Sequence, residues 1–356
     1  MTNKPNDTEN YIPRHGNEPK KGRKKGLIIA LSVVLSLVLI VTGAFFVLQK
    51  VGSESLLGNT GISKENVDED INTDDVDEDI IIYGGAKHKI NENIVSILFL
   101  GIDKEDISES DGRGENGQAD TIFLACIDTV KKSIKIIPIP RDVMTDVDRY
   151  SVDGSFAGTK NEQICLSYAY GSDAESGCEN VKNSVSRLLC GINISSYVAI
   201  DLKGIEKLTD AVGGVTVTSI ETIGSFKEGK NVTLKGKKAK EYVQLRGNDV
   251  ESSNRRLARQ KQFLTAFAST AGNKVVENFT RLVTYYQTAV PYITTDLSLA
   301  EITYLAKSCL TQNIGNSLQY LKIKGETVMG EKHAEFYADS DSVFEAVLDA
   351  FYIKFN

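Results

Sequence analysis

Short apolar runs and amphipathic segments alternate along the chain from about residue 92 to the C-terminus. β-Branched runs bounded by Asp, Gly or Pro predict strands, and apolar residues that recur every three or four positions predict helices. The predicted strands are 92–102, 121–128, 131–140, 195–202 and 214–220. The predicted helices are 178–191, 202–214, 234–245, 254–270, 294–310 and 340–352. This alternation indicates an α/β fold, a layered α-β-α sandwich around a central mixed sheet, which we place at 91–356 with the C-terminal helices included.

One apolar stretch lies outside this domain. Residues 26–49 contain no charged side chain over 24 positions, enough for a helix to cross a bilayer core. The stretch is longer than the apolar region of a signal peptide and no clear small-residue cleavage site follows, so an uncleaved transmembrane helix is favoured over a signal peptide. The polar segment 1–25 ends in basic residues, and the positive-inside rule therefore predicts a cytoplasmic tail. The chain is predicted to be a single-pass cell-membrane protein with an extracytoplasmic C-terminal domain.

Residues 50–90 are predicted to be an acidic extracytoplasmic tether. Its centre, 67–79, holds eight carboxylates in thirteen residues, and a block of like charges repels itself and stays extended. A calcium-binding loop is the alternative, but the segment lacks the Gly and the terminal Glu of EF-hand spacing.

The distribution of charge narrows the class of ligand. A net charge of −7 argues against a general nucleic-acid binder, whose basic footprint normally extends over a whole domain. Four of the eleven arginines nevertheless lie between residues 246 and 259. A guanidinium offers a planar fork of donors that matches phosphate or carboxylate. A DNA-binding regulator would suit this run of arginines alone, but it conflicts with the predicted topology.

The five cysteines allow two interpretations. An extracytoplasmic location permits disulfides, and Cys165 and Cys178, which flank a Gly-containing loop, are the candidate pair. The alternative is that the cysteines are small buried apolar residues. The sequence leaves both open.

The candidate site residues are carboxylates and arginines, because only three histidines are present and a histidine triad or zinc site is improbable. Asp103 ends one predicted strand and Asp120 begins the next, so antiparallel pairing of these strands would bring the two carboxylates together. Two such carboxylates suit Mg²⁺, which binds one or two carboxylates together with substrate phosphate oxygens. Spacing alone favours the alternative that both aspartates cap turns.

Arg141 directly follows the predicted strand 131–140, whose end is stiffened by Pro138 and Pro140. Proline limits where the next side chain can point, so Arg141 could be held toward the same end of the sheet as the aspartates. The alternative is an exposed ion pair with Asp142, which would contribute little to stability.

The helix predicted at 254–270 places Arg256, Arg259 and Gln260 three and four residues apart on one face. Arginines in the first turns of a helix are unfavourable for its macrodipole unless an anion binds there. A phosphate at that position would meet free backbone N–H groups as well as guanidinium groups.

Six short motifs taken in order give the chain a family resemblance. They are GID at 101–103, ADT at 119–121, IPRD at 139–142, LSYAYG at 166–171, AVGGVTV at 211–217 and the Arg-x-x-Arg-Gln helix at 256–260. In their order and spacing the chain resembles the LytR-CpsA-Psr family of membrane-anchored phosphotransferases, from the anchor to the C-terminus. The resemblance implies transfer of a glycopolymer, such as teichoic acid or capsule, from a polyprenyl pyrophosphate carrier to peptidoglycan in Gram-positive cell walls.

The resemblance also implies roles for individual residues. Asp103 and Asp120 would hold Mg²⁺, and Asp120 would act in catalysis with Arg141 and Arg256. The substrate-binding residues that it implies are Arg141, Arg246, Arg256, Arg259 and Gln260.

The chain departs from the family pattern at three positions, where Gln118, Gln244 and Glu105 stand in place of arginines common in the family. Arg113 or Arg255 could replace the missing charge. With fewer positive charges, the alternative function is a polyprenyl-phosphate-binding protein of the same family without catalytic activity.

Overall fold

The computed structural model describes residues 56–57, 62, 73–77, 80–110, 112–247, 252–310, 314–331 and 333–355. The predicted cytoplasmic tail, 1–25, and the predicted transmembrane helix, 26–49, lie outside the described residues. Within the described ranges, none of the helices has both the length and the apolar character needed to cross a membrane.

Strands and helices alternate along the described ranges. The strands are β1 (Thr73–Asp77), β2 (Ile80–Tyr83), β3 (Ala86–Ile90), β4 (Ile94–Ile102), β5 (Ala119–Asp128), β6 (Ser133–Ile139), β7 (Met144–Tyr150), β8 (Phe156–Gln163), β9 (Ser196–Ile200), β10 (Val215–Thr218), β11 (Asn231–Leu234), β12 (Ile293–Thr295), β13 (Leu318–Tyr320), β14 (Gly325–Met329), β15 (Ala334–Ala338) and β16 (Tyr352–Phe355). The α-helices are α1 (Ala174–Leu188), α2 (Leu202–Ala211), α3 (Lys237–Gln244), α4 (Ser252–Glu277), α5 (Thr280–Ala289), α6 (Leu299–Cys309) and α7 (Ser340–Phe351). Each predicted strand and helix of the domain overlaps one of these elements.

Six strands form the central sheet, in the spatial order β12–β9–β4–β5–β6–β13. β4 pairs antiparallel with β5 and parallel with β9, while β6 pairs antiparallel with β5 and parallel with β13. The prediction of an α/β fold with a central mixed sheet is therefore confirmed. β4 and β5 lie in the middle and are almost entirely buried, as expected for strands that are covered on both faces.

Apolar side chains pack against both faces of the sheet. On one face, Leu98 of β4 belongs to a cluster that contains Val185 of α1 and Phe344 of α7. On the other face, Ile97 packs in a cluster with Leu305 of α6. Neighbouring residues of β4 join different clusters because successive side chains of a strand point to opposite faces. Burying each such side chain stabilises the fold by about 1.5–3 kcal/mol, so the two clusters hold the central strands between the helices.

The β7–β8 and β14–β15 hairpins were not predicted. β7 pairs with β8, and β14 pairs with β15, each antiparallel. β14 is exposed along its whole length and β8 along most of it, so neither carries the apolar alternation that marks a half-buried strand.

Part of the segment predicted to be a tether, 50–90, forms strands. β1, β2 and β3 all lie within it and form a four-stranded sheet with the C-terminal strand β16. Ile81 is buried in the core, and the isoleucine run of β2 explains why this part of the segment folds. Farther upstream, Leu56 and Ile62 are also buried, and the backbone N–H of Ile62 donates to the Tyr352 hydroxyl at 2.8 Å.

The disulfide interpretation of Cys165 and Cys178 is wrong in this structure. Each is a separate thiol and is fully buried. Burial raises the pKa of both thiols, so both stay protonated. Cys178 packs as a small apolar group. The Cys165 thiol donates to Gln118 Oε1 at 3.8 Å, and its sulfur accepts from Arg141 Nη2 at 3.5 Å.

Candidate functional site

The two predicted aspartates lie together at one end of the central sheet. β4 runs directly into Asp103, and its last residue, Ile102, pairs with Ala119 at the start of β5. The backbone N–H of Asp103 donates to the Gln118 carbonyl at 3.0 Å. Asp103 and Asp120 line the same small pocket. The expected antiparallel return of the chain is therefore confirmed.

Three arginines converge on the carboxylate of Asp120. Arg141 Nη1 donates to Oδ1, while Arg246 Nη2 and Arg256 Nη1 donate to Oδ2 at 3.2 and 3.0 Å. We call these four residues the arginine cluster. A phosphate group could use the same guanidinium donors as the Asp120 carboxylate, because each presents anionic oxygens that accept hydrogen bonds from arginine.

The arginines of the cluster come from three separate elements. Arg141 lies just past β6, and its Nε also donates to Asp142 Oδ1 at 3.2 Å. Arg246 lies two residues past the end of α3, and Arg256 lies in the second turn of α4. The fold, rather than the run of arginines in the sequence, therefore assembles the cluster.

Burial and mutual repulsion affect the guanidinium groups of the cluster. Arg256 is 5% exposed, and its burial, followed by repulsion from Arg246 and Arg141, lowers its pKa to about 10. Burial also lowers the pKa of Arg246. Both groups stay charged at neutral pH, and a bound anion would relieve the repulsion. Perturbation of this kind is typical of a functional anion site.

Arg259 does not join the arginine cluster. Its side chain is fully buried and donates to the carbonyls of Tyr242, from Nη1 at 2.9 Å, and Leu245, from Nη2. Its Nε lies 2.9 Å from Glu221 Oε1, an ion pair that lacks the direction of a hydrogen bond. These contacts hold the C-terminal end of α3 against α4. Because Arg246 is the next residue after Leu245, Arg259 positions the segment that carries Arg246.

Gln260 lies at the boundary between polar and apolar parts of the site. Its Nε2 donates to the Val243 carbonyl at 3.3 Å, and the residue is buried. It lines both the small pocket of the aspartates and a larger apolar cavity.

The glutamines that replace arginines of the family pattern lie at the site. Gln118 Oε1 accepts from Arg141 Nη2 at 2.8 Å, so this side chain orients Arg141 and adds no charge. Gln244 lines the small pocket. Glu105 forms an ion pair with Lys240 beside them.

Neither arginine suggested as a replacement enters the arginine cluster. Arg113 donates to the Tyr170 carbonyl at 2.6 Å, and its guanidinium lies over the Tyr150 ring. Arg255 Nε donates to Glu221 Oε2 at 2.9 Å. The charge of the cluster therefore comes from the arginines already described.

An apolar cavity of about 270 Å³ opens beside the small pocket. It lies between the central sheet and helices that include α2 and α4, and Phe99 of β4 on its lining is 37% exposed. Thr121, Val243 and Gln260 are among the residues that line both spaces. The cavity and the arginine cluster therefore form one continuous site. The apolar lining includes Phe99, Phe123, Ile200, Phe263, Leu264 and Phe267.

Asp103 and Asp120 are the candidate ligands for the predicted Mg²⁺ ion, because both carboxylates line the small pocket. Carboxylate oxygens are the donors that Mg²⁺ prefers, and it often completes its shell with substrate phosphates and water. In the described part of the chain, no group of three or more His, Cys, Asp or Glu side chains could hold a metal ion. Both oxygens of Asp120 already accept from arginines, so a cation at Asp103 and Asp120 would need phosphate and water oxygens as further ligands.

Two features of the site were missed by the sequence analysis. One is the lining of the apolar cavity, which comes from elements that are far apart in the sequence. The other is the contact between Gln118 and Arg141. The sequence does contain a signal for the contact between Gln118 and Arg141. Residues two apart on an extended chain point to the same side, and Gln118 precedes Asp120 by two.

Comparison with known proteins identifies relatives. The LytR_cpsA_psr family model matches residues 57–348. The chain is 25% identical over 328 residues to the polyisoprenyl-teichoic acid–peptidoglycan teichoic acid transferase TagU of Oceanobacillus iheyensis, covering 90% of this chain and 92% of the relative. It is 28% identical over 228 residues to the Bacillus subtilis transferase TagV, covering 60% of this chain and 54% of the relative.

The crystal structure of Bacillus subtilis TagV shares the fold, with a TM-score of 0.57 at 22% identity over 73% of this chain and 97% of that one. The matched region of the family model contains the whole central sheet and all the residues of the arginine cluster. The family model also spans most of the chain. The protein therefore belongs to the LytR_cpsA_psr family.

Proposed function

We propose that this protein is a membrane-anchored phosphotransferase that moves a glycopolymer from a polyprenyl pyrophosphate carrier to peptidoglycan. The observation that carries the proposal is the continuity of an apolar cavity with three converging arginines and two aspartates. A lipid-linked pyrophosphate requires both an apolar surface and a site for anionic oxygens. The names of the relatives favour teichoic acid as the class of polymer.

The charges of the site support a metal-assisted reaction. The three arginines of the cluster are balanced by three nearby carboxylates, Asp103, Asp120 and Asp142. A pyrophosphate diester would add about two negative charges, and one Mg²⁺ ion held by Asp103 and Asp120 would offset them. When bound, Mg²⁺ would polarise the phosphoryl oxygens and neutralise charge that develops during transfer.

The reaction needs positioning and charge stabilisation more than covalent chemistry by the protein. An acceptor hydroxyl oxygen would form a bond to the sugar-linked phosphorus while the bridging phosphorus–oxygen bond breaks. Polyprenyl phosphate would leave with the electron pair and accept the hydroxyl proton. Arg141 and Arg256 would hold the phosphoryl oxygens in catalysis, and Arg246 would bind the pyrophosphate from the exposed side. Gln260 would lie between the phosphates and the prenyl chain, at the point where the apolar cavity begins.

The location outside the cell membrane is part of the same proposal. An uncharged run of 24 residues at 26–49, preceded by basic residues, supports a single span with the N-terminus in the cytoplasm. Lipid-linked donor and peptidoglycan would then both be within reach of the domain.

Release of polyprenyl phosphate tests the proposal. The full-length protein in lipid nanodiscs should release it from a polyprenyl-pyrophosphate-linked sugar polymer when Mg²⁺ and a peptidoglycan acceptor are present. Chelation of the metal should stop the release, because the site would lack charge to offset the pyrophosphate. Asp103→Asn should raise the Mg²⁺ concentration needed for half-maximal rate, since it removes one proposed ligand and keeps the side-chain size.

Two other results would have distinct meanings. Binding of the lipid donor without any release in the presence of Mg²⁺ would indicate a polyprenyl-phosphate-binding protein without catalytic activity, as Gln118 and Gln244 would allow. No binding of any lipid-linked donor would contradict both functions.

A further inference from the structure

Apolar side chains are exposed along one side of α5. Val283, Tyr286 and Val290 are spaced three and four residues apart, and the backbone stays helical through Val290, so they fall on one stripe. Val283 is 39% exposed and Val290 48%, while Tyr286 is partly buried. We call these three residues the α5 stripe. Val276 and Phe279, just before α5, are exposed as well.

The segment that contains the α5 stripe lacks charge. No charged residue occurs from 282 to 295, although 25% of the residues in the chain are charged. The other exposed side chains of this part of α5, Thr284 and Gln287, are polar but neutral. A helix that faces water usually carries charged residues on its outer face. Valine, tyrosine and neutral polar side chains instead suit the boundary between water and a lipid bilayer, where tyrosine is enriched.

The α5 stripe leads to the apolar cavity. Ala289 and Ile293, on either side of Val290 in the chain, both line the cavity. Ala289 is buried and Val290 is exposed, so the chain passes here from the cavity wall to the outer surface. Apolar residues therefore connect the stripe to the space proposed for the prenyl chain. A prenyl chain that reached the cavity through water would expose its hydrocarbon, which is unfavourable.

The short connection to the predicted membrane helix limits how far the domain can lie from the bilayer. Leu56 is buried in the cluster that contains Ile97 and Leu305, and Val198 both packs against this cluster and lines the cavity. Seven residues separate Leu56 from residue 49, where the predicted membrane helix ends. Seven extended residues span at most about 25 Å. The face of the sheet that carries the cavity is therefore within reach of a membrane that holds residues 26–49.

We propose that the α5 stripe docks on the outer surface of the lipid bilayer, so that the apolar cavity opens to the membrane and receives the prenyl chain from it. The inference rests on the proposed function, because the membrane anchor and the lipid-linked donor are both part of that proposal. The anchor supplies the attachment, and the stripe sets the orientation of the domain. A weak contact is sufficient for this role, because the anchor already holds the domain at a high local concentration.

Quenching of a site-specific fluorophore tests where the stripe lies. The five native cysteines are buried, so a single added cysteine can be labelled selectively in the full-length protein in nanodiscs. A nitrobenzoxadiazole label at Val283→Cys should be quenched strongly by doxyl lipids and weakly by aqueous iodide. The same label at Asn183→Cys should show the reverse, because Asn183 is exposed on α1, which packs on the opposite face of the central sheet.

Release of polyprenyl phosphate from two donors tests what the contact does. Val283→Glu should slow release from a long-chain donor embedded in the nanodisc by about tenfold, the effect of losing one buried valine contact. Release from a water-soluble donor with a short prenyl chain should stay unchanged, because Val283 lines neither the cavity nor the small pocket. Thr284→Glu adds the same charge to an exposed position of α5 outside the stripe and should keep both rates. Melting curves of the variants monitor folding.

Three results would overturn the inference and leave the proposed function standing, provided that the wild-type protein releases polyprenyl phosphate. In the first, the label at Val283→Cys is quenched by iodide and not by doxyl lipids, so the stripe lies in water. In the second, the label is protected from both quenchers, so a protein such as a second copy of the chain covers the stripe. In the third, Val283→Glu slows release from both donors equally. If the full-length protein is not held in nanodiscs by its anchor, the proposed location fails and this inference fails with it.

Discussion

Arg256→Ala is expected to lower the rate of polyprenyl phosphate release by about 10²–10³-fold, the effect of removing one preorganised charge-stabilising donor. Arg256 is buried, donates to Asp120 and faces the pocket shared by the two aspartates. Its guanidinium is already desolvated, so it would interact with a phosphate more strongly than an exposed arginine. Arg256→Lys should give an intermediate rate, because it keeps the charge and loses the planar fork.

The fold should survive the loss of Arg256. Asp120 keeps its hydrogen bonds to Arg141 and Arg246, and repulsion among the guanidinium groups decreases. Arg255→Ala is the matched control, because the neighbouring residue donates to Glu221 away from the cluster. If Arg256→Ala and Arg255→Ala release polyprenyl phosphate at equal rates and have normal melting curves, the catalytic role of Arg256 is wrong.

Arg259→Met is expected to have the largest effect on stability, lowering the free energy of unfolding by about 3–5 kcal/mol. The guanidinium is fully buried, donates to two main-chain carbonyls at the end of α3 and lies against Glu221. Methionine fills much of the volume but leaves Glu221 without its buried cation and the two carbonyls without these donors. Urea-induced unfolding of the full-length protein in detergent measures the change.

A substitution at Arg255 shows how much of the effect comes from the burial of Arg259 rather than from the loss of an ion pair to Glu221. Arg255→Met removes the other ion pair to Glu221, but the Arg255 side chain is 39% exposed, so the cost should be at most about 1 kcal/mol. If Arg259→Met unfolds at the same urea concentration as the wild type while its affinity for polyprenyl pyrophosphate falls, Arg259 contacts the substrate and the positioning role is wrong.

The central strands and the aspartate pair could be predicted from the sequence because their signals are local. A β-branched run that ends in Asp103 and another that begins near Asp120 fix both strands, and the loop between them allows an antiparallel return. Arg141 was placed in the same way, since it directly follows a strand that pairs with β5. These residues depend only on where neighbouring strands end.

The division of roles within α4 could not be predicted from spacing. Successive helix residues are rotated by about 100° around the helix axis. Viewed along the axis, Arg259 and Gln260 therefore flank Arg256, one on each side of it. Which side faces the site depends on how α4 packs, and contacts with the end of α3 direct Arg259 away from the arginine cluster. Spacing along one helix limits the possible contacts, but packing between helices selects among them.

The apolar cavity and the folded part of the predicted tether could not be predicted from the sequence for a related reason, since both depend on contacts between distant residues. The cavity is lined by β4, β5, β9, β12, α2, α3, α4 and α5, and their packing creates the space. β2 and β3 are completed by β16 at the C-terminus, so their partner lies more than 200 residues away in the chain. Local composition, dominated by carboxylates, favoured a tether instead.

A structure of the full-length protein with polyprenyl pyrophosphate and Mg²⁺ tests the account most directly. We expect phosphate oxygens about 3 Å from guanidinium nitrogens of Arg141, Arg246 and Arg256, with the metal between Asp103 and Asp120 and the prenyl chain in the apolar cavity. Phosphates bound elsewhere on the domain, or a prenyl chain that lies outside the cavity while the cluster keeps its present contacts, would contradict the account.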